Sequence, residues 1–365
     1  MVDPAAYRTV VVKIGSSLLV ERGELRRAWL TRLCADVADL RQAGAKVVLV
    51  SSGAVALGAQ TLGLKRRGLR LPQKQACAAV GQSRLTRGYD DALAAFGLRS
   101  AQALLTLEDT EDRQRYVNAR NTLETLLELG VVPIVNENDT VATDEIRYGD
   151  NDRLAARTAQ MVGADLLVLL SDIDGLYTAD PREDADARHI AVVDDLTDRH
   201  MAMGADADAD GVGSGGMATK LLAARMATEA GCDMVIMDGR EDSPLQRLQA
   251  GARHTLFRAG ERDLTSRARW IAGRLSLPGT VHVDAGAAKA LDGGRSLLAV
   301  GVRAVDGTFG AGDLVRIVGP DGAEIARGLS RHGSETLETL RGHPKDRLDT
   351  PGDAVVVHRN HMVNR

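Results

Sequence analysis

Seven lysines stand against 39 arginines in this 365-residue chain, so a lysine kept in an unusual place asks for a reason. Lys13 interrupts the apolar run Thr9-Val10-Val11-Val12-Lys13-Ile14. Lys220 closes the stretch Gly213-Ser214-Gly215-Gly216-Met217-Ala218-Thr219-Lys220, just before a helix-like segment. A compact ammonium at each place could hold a transferring phosphoryl group. At about 4 Å and an effective dielectric near 20, each contact would contribute on the order of 4 kcal/mol before desolvation is subtracted. The ordinary alternatives are a strand-end lysine reaching solvent and a helix-start lysine. The glycines formally match G-x-G-x-x-G at 211–216, but they follow Met201-Ala202-Met203-Gly204 and an acidic tract, not a strand, so a dinucleotide fingerprint is not indicated. A Walker A loop is not indicated either, because Lys220 is preceded by Ala218-Thr219 and followed by Leu221. What survives is the physics common to both motifs. Glycines let backbone N–H groups approach phosphate, and the helix N-terminus that follows favours negative charge; the alternative is a flexible connection.

The other polar clusters are short and lie after apolar runs. They are Gly15-Ser16-Ser17, Ser51-Ser52-Gly53, Asn136-Glu137-Asn138-Asp139 and Ser171-Asp172-Ile173-Asp174-Gly175. Gly149-Asp150-Asn151-Asp152 is the densest. One helix cap needs fewer polar residues than that. Carboxylates beside two lysines could fix their geometry, while Asn and Asp could hold the ammonium of an amino acid. Ser52-Gly53, at a helix start, suits a carboxylate or serves as a plain cap. No H-E-x-x-H, serine nucleophile elbow or His/Cys pairing at ligand spacing occurs, and Cys34, Cys77 and Cys232 form no C-x-x-C, so no metal site is expected.

These clusters need a scaffold that brings them to one edge. Apolar runs at 9–14, 46–50, 131–135, 165–170 and 233–237 alternate with helical stretches, two of them predicted at 30–42 and 152–161. Strands so continuously apolar must be covered on both faces, which predicts an α/β domain with a doubly wound, mostly parallel sheet. In such sheets ligands bind beyond the carboxyl ends of the strands, where the polar clusters fall. The acidic tract 205–210 reads as a loop, and residues 262–274 as an Arg-rich helical segment. After Pro278 the pattern changes to short alternating segments with glycine turns, at 279–284, 296–305, 313–318, 324–329 and 354–358, which predicts a small β-barrel-like module. The domains are therefore placed at 1–260 and 278–365, with a linker at 261–277.

Composition narrows the function classes. Hydrophobic residues at 44% and charged residues at 26% exclude global disorder, and a net charge of -4 argues against a polycation that binds nucleic acid. The stretch 276–365 balances 11 basic against 11 acidic residues, so RNA held through its backbone is not expected there. No signal-like start or apolar run of about 18 residues is present, which predicts a soluble, cytoplasmic protein without a membrane partner.

The motifs Val10-Val11-Val12-Lys13-Ile14-Gly15-Ser16-Ser17, VLVSSGAVALG, KQACAAVGQSRL, VVPIVNENDTVA, GDND, LLSDIDGLYTADP and GSGGMATK, in this order, resemble the glutamate 5-kinases of the amino acid kinase family. The tail resembles a PUA domain. The resemblance implies transfer of the ATP γ-phosphoryl group to the side-chain carboxylate of L-glutamate, the first step toward proline, with ATP and Mg²⁺. It implies Lys13 and Lys220 on the phosphoryl group, with Asp152 orienting both. Ser52, Asn136, Asp139, Asp150 and Asn151 would hold glutamate. Lys13, Ser171, Asp172, Ser214, Gly215, Gly216, Met217, Ala218, Thr219 and Lys220 would bind the nucleotide. It also implies proline as a feedback inhibitor and a homo-oligomer. Mg²⁺ would be held chiefly by ATP oxygens and water, so no protein ligand is named for it. Departures are Ser51 and Ser171 where threonine is familiar, Ala218 in the glycine loop, and the acidic tract. Kinases of another small acid, such as aspartate or N-acetylglutamate, or of a nucleotide remain alternatives, as do an RNA-binding protein acting through the tail and a ligand sensor on a decayed kinase fold.

Overall fold

The computed structural model describes residues 2–65, 68–141, 151–207, 216–260, 277–343 and 354–364. They belong to two compact units, Met1–Asp263 and Leu264–Arg365. All of the expected linker except residue 277 lies outside the described residues, as does the segment 262–274.

In the first unit β1 (Thr9–Ile14) leads into α1 (Ser16–Leu19) and a hairpin of β2 (Val20–Glu21) and β3 (Glu24–Leu25). Then come α2 (Arg27–Gln42), β4 (Lys46–Ser51), α3 (Ala54–Thr61), α4 (Leu71–Ala94), β5 (Ser100–Leu105), α5 (Leu107–Glu111), α6 (Arg113–Glu128) and β6 (Val132–Glu137). Past residue 150 the order is α7 (Asn151–Val162), β7 (Leu166–Ser171), a hairpin of β8 (Leu176–Tyr177) and β9 (His189–Ile190), β10 (Val192–Val193), α8 (Asp198–Ala207), α9 (Met217–Glu229), β11 (Asp233–Asp238), α10 (Pro244–Gln249) and β12 (His254–Phe257). Eight of the strands form one sheet in the order β10-β12-β11-β7-β1-β4-β6-β5. From β11 to β5 every neighbouring pair is parallel, whereas β12 runs antiparallel to β11. This is the expected doubly wound α/β architecture.

The two faces of β1 explain why a lysine survives there. Val10, Val12 and Ile14 join a core with Val47, Leu49, Leu166, Val168, Leu170 and the buried face of α2 and α4. Successive side chains of a strand alternate, so Val11 and Lys13 point to the other face, against which α7 packs. Direction also reverses at β1. The chain builds outward through β4 to β5 and β6, then returns to place β7 on the other side of β1. That is the topological switch point, where such sheets open a crevice at the carboxyl ends of their strands.

Glycines fix how closely the helices come. A Cβ on Gly58 of α3 would lie 1.8 Å from the Cys77 carbonyl oxygen, and one on Gly81 of α4 would lie 1.8 Å from the Ala54 carbonyl oxygen. The two helices therefore touch backbone to backbone. Gly53 precedes α3 with φ at 110°, a left-handed conformation that costs other residues free energy.

Three sequence expectations need correction. β5 was not foreseen, because an edge strand buries only part of its surface and Ser100-Ala101-Gln102 breaks the apolar run. β12 was not foreseen either, because four residues are too short a run to show a period. The acidic tract is not wholly a loop, since α8 reaches Ala207; residues 208–210 lie outside the described residues.

The second unit is a curled six-stranded sheet of β13 (Gly279–Val283), β14 (Leu297–Leu298), β15 (Val302–Gly307), β16 (Leu314–Val318), β17 (Glu324–Ser330) and β18 (Val355–Asn364), in the order β14-β18-β17-β16-β13-β15. Register shifts in four of its pairings bend the strands around a core that includes Val281, Leu291, Phe309, Ile317, Leu337 and Val356. The expected strand at 296–305 is two strands separated by a turn of 3-10 helix, and α11 (Ala285–Asp292) and α12 (Ser334–Leu340) were not foreseen.

Candidate active site

Asp152 has no exposed surface and stands between the two lysines. Its Oδ1 is 2.6 Å from Lys13 Nζ, and its Oδ2 is 3.3 Å from Lys220 Nζ. The Lys220 contact is a hydrogen bond, whereas the Lys13 contact is an ion pair without hydrogen-bond angles. Three elements converge here: Lys13 comes from β1, Asp152 from the first turn of α7, and Lys220 from the first turn of α9. Burial pushes the Asp152 carboxyl up, but the close positive charges of Lys13 and Lys220 outweigh it and hold the group below the usual carboxylate range. Among the described residues in direct contact here, two cations face one anion. Both lysines are under one-tenth exposed.

The start of α9 adds to that field. Gly216 precedes the helix without a side-chain cap, so the first-turn N–H groups of Met217, Ala218 and Thr219 lie at a helix N-terminus. Thr219 Oγ1 donates to the Gly216 carbonyl at 2.8 Å and approaches Asp152 Oδ2 at 3.4 Å. At the neighbouring strand end, the buried Ser171 closes β7 and its hydroxyl donates to the exposed Asp172 at 3.2 Å. Ser214 and Gly215 lie outside the described residues.

A second polar group occupies the ends of β4 and β6. Asn151 Nδ2 points to the Ser51 carbonyl at 2.8 Å, Ser52 Oγ at 2.7 Å and Asn136 Oδ1 at 3.0 Å. Asn136 Oδ1 also accepts from the Glu137 N–H at 2.9 Å. Asn151 and Asp152 are consecutive, so the amide cluster and the lysine pair share one helix start. Asp139 is half-buried just beyond β6, and burial pushes its carboxyl up to about 6. Asp150 lies outside the described residues. The structure thus brings Lys13, Asp152 and Lys220 together, and Ser52, Asn136 and Asn151 together. Chemically, the first group suits a polyanion in transfer, and the second suits a small molecule bearing both ammonium and carboxylate. Among the described residues no three His, Cys, Asp or Glu side chains cluster as metal ligands.

Sequence reading missed Gln82 and Tyr89 of α4. Gln82 Oε1 accepts from Asn136 Nδ2 at 2.8 Å, and the buried Tyr89 hydroxyl donates to Ser51 Oγ at 2.9 Å. Both lie on one helix face seven residues apart, but nothing in their neighbourhood marks them as more than core.

A sheet-edge lysine pair bridged by a buried carboxylate is one observation, and sequence comparison is another. A model described as the amino acid kinase family matches residues 8–238. The chain belongs to the amino acid kinase family. A PUA domain model matches residues 279–358 of this family member. Its relatives include the glutamate 5-kinase of a Ruegeria species, 53% identical over 98% of this chain and 98% of the relative. The glutamate 5-kinase of Gluconobacter oxydans is 56% identical over 93% of this chain and 90% of its own length. Among solved structures, the carbamate kinase of Giardia lamblia bound to AMP-PNP aligns with a TM-score of 0.49 at 19% identity, covering 70% of this chain and 100% of that one. Among the described residues, no helix of this amino acid kinase is long and apolar enough to cross a membrane.

Proposed function

We propose that this chain transfers the γ-phosphoryl group of ATP to the side-chain carboxylate of L-glutamate, giving L-glutamyl 5-phosphate and ADP, the first step of proline synthesis. The observation that carries the reading is the pair of buried lysines held by Asp152 one residue from the Asn151 amide cluster. A glutamate side chain with a pKa near 4.3 is ionised at pH 7, so the nucleophile needs no general base. The difficulty is that an anion must approach a polyanion. A carboxylate oxygen forms a bond to the γ-phosphorus while the bond to the bridging oxygen breaks and its electron pair leaves with ADP. Lys13 and Lys220 neutralise the equatorial and bridging oxygens, and Asp152 keeps both ammoniums aimed at one point.

Ser52, Asn136, Asp139, Asp150 and Asn151 hold glutamate in this reading. The nucleotide lies along Lys13, Ser171, Asp172 and the segment from Ser214 through Gly215, Gly216, Met217, Ala218 and Thr219 to Lys220. Both Asp152 oxygens already face lysines, so that carboxylate is not offered to a metal, and Mg²⁺ enters as part of MgATP. The domain limits 1–260 and 278–365, a cytoplasmic location, a homo-oligomer and inhibition by proline complete the proposal.

The deciding experiment is ADP release from MgATP with L-glutamate, L-aspartate, N-acetyl-L-glutamate and UMP in parallel, with hydroxylamine trapping any acyl phosphate as a hydroxamate. Glutamate-dependent ADP with hydroxamate is expected. Turnover with another acceptor alone moves the specificity, and silence with all four overturns the kinase reading.

A further inference from the structure

A chain of amide hydrogen bonds leads from the amide cluster to α4 and on to the edge strand β5. Asn136 Nδ2 donates to Gln82 Oε1 at 2.8 Å, and Gln82 Nε2 reaches Gln102 Oε1 at 3.2 Å and Thr86 Oγ1 at 3.4 Å. Thr86 Oγ1 has one hydrogen to donate, with Gln102 Oε1 and the Gln82 carbonyl both in reach. Two backbone groups set the direction of the whole chain. The Ser51 carbonyl can only accept, so Asn151 must present its NH₂ there. The Glu137 N–H can only donate, so Asn136 must present its oxygen there. Asn136 then has its NH₂ toward Gln82, and Gln82 has to answer with its oxygen.

This ordering leaves specific atoms for a ligand. Asn136 Oδ1 already accepts twice, and one of the two Asn136 amide hydrogens is taken by Gln82, so a single N–H is left to meet a carboxylate. The Asn151 NH₂ faces three acceptors, and within the described residues nothing donates to Asn151 Oδ1, which is left to meet an ammonium. Gln82 does this from a helix held by the Gly58 and Gly81 contacts, one residue from Gly81, and it is under one-tenth exposed.

We propose that Gln82 is a positioning residue for the amino-acid substrate: by accepting one hydrogen of the Asn136 amide, whose orientation the Glu137 N–H sets, it holds that side chain with a single N–H left for the substrate carboxylate. The inference rests on the glutamate reading above. Its effect is confined to one substrate, because Gln82 stands on the α4 side of the sheet while the lysines and Asp152 stand on the α7 side.

The test compares wild type with Gln82→Met and Gln82→Glu. In Gln82→Met the Asn136 amide loses its acceptor, and the KM for glutamate should rise roughly tenfold while the KM for ATP and kcat stay within about twofold. In Gln82→Glu a protonated carboxyl still offers a carbonyl oxygen to Asn136 and a donor to Gln102. Once ionised it loses the donor and sets a negative charge beside an anionic substrate. The ratio of variant to wild-type glutamate KM should therefore climb with pH as the carboxyl ionises, an effect that a loss of packing would not produce. Should Gln82→Met fail to fold, this pH dependence decides. A glutamate KM within twofold in Gln82→Met, an equal rise in the ATP KM, or a pH-independent ratio in Gln82→Glu overturns the proposal. Wild type without glutamate turnover overturns the substrate reading itself, before any variant is compared.

Discussion

Replacing Asp152 by asparagine keeps the shape of the side chain and removes its charge. In wild type Lys13 Nζ lies 2.6 Å from one oxygen and Lys220 Nζ 3.3 Å from the other. At an effective dielectric near 20 those distances correspond to gross attractions of about 6 and about 5 kcal/mol, from which the desolvation of three buried charges is subtracted. Asp152→Asn removes the carboxylate charge that faces two ammoniums, which are 8% and 5% exposed as residues. Removing one member of a buried ion pair costs roughly 3–5 kcal/mol. At roughly 2–4 °C per kcal/mol for a unit of this size, the first thermal transition should fall by about 10 °C. MgATP brings anionic oxygens to the same lysines, so its stabilisation of the variant should exceed its stabilisation of wild type. The lysines then follow the nucleotide instead of a fixed carboxylate, and kcat should fall about a hundredfold or more without a rise in the KM for ATP. Calorimetry with and without MgATP and steady-state ADP release measure both effects. A kcat within tenfold of wild type, about 1.4 kcal/mol of barrier, together with an unchanged thermal transition, would refute the reasoning.

Lys220→Ala should remove nearly all turnover while Lys13 keeps Asp152 paired and the fold intact; retention of more than about a tenth of kcat would remove its assigned role. Burial holds the free-enzyme Asp139 carboxyl up at about 6, so it loses its charge as pH falls through that value. kcat/KM for glutamate should then decline below about pH 6, and Asp139→Asn should abolish that limb, as read from pH-rate profiles. A Cβ added at Gly81 meets a backbone oxygen that cannot rotate away. Gly81→Ala should therefore cost at least roughly 1–3 kcal/mol of stability in chemical denaturation, and an unchanged midpoint would show that α4 can slide on α3.

The sequence carried most of what was needed where the physics is local. A strand buried on both faces must be apolar along its length, so β1, β4, β6, β7 and β11 were readable as runs, and Lys13 stood out because nothing apolar explains it. The polar residues after those runs followed from the rule that strand ends open the crevice. β5 and β12 gave no comparable signal, since an edge strand and a four-residue antiparallel strand leave too short or too mixed a pattern. The lysines and Asp152 could be nominated from residue type, but their roles as partners depend on contacts 139 and 68 positions apart.

What the chain alone determined is the layered sheet, the two-part organisation and the identity of the polar groups at the strand ends, because period, turn chemistry and residue type act over a few residues. What only the tertiary structure decided is direction: which amide faces which, and that Gln82 and Tyr89 on α4 join a hydrogen-bonded cluster whose other members lie on β4, β6 and α7. Hydrogen-bond polarity there is set by two backbone groups brought together by the sheet, the Ser51 carbonyl and the Glu137 N–H. Every residue except proline has both groups, so residue type does not announce which pair will meet.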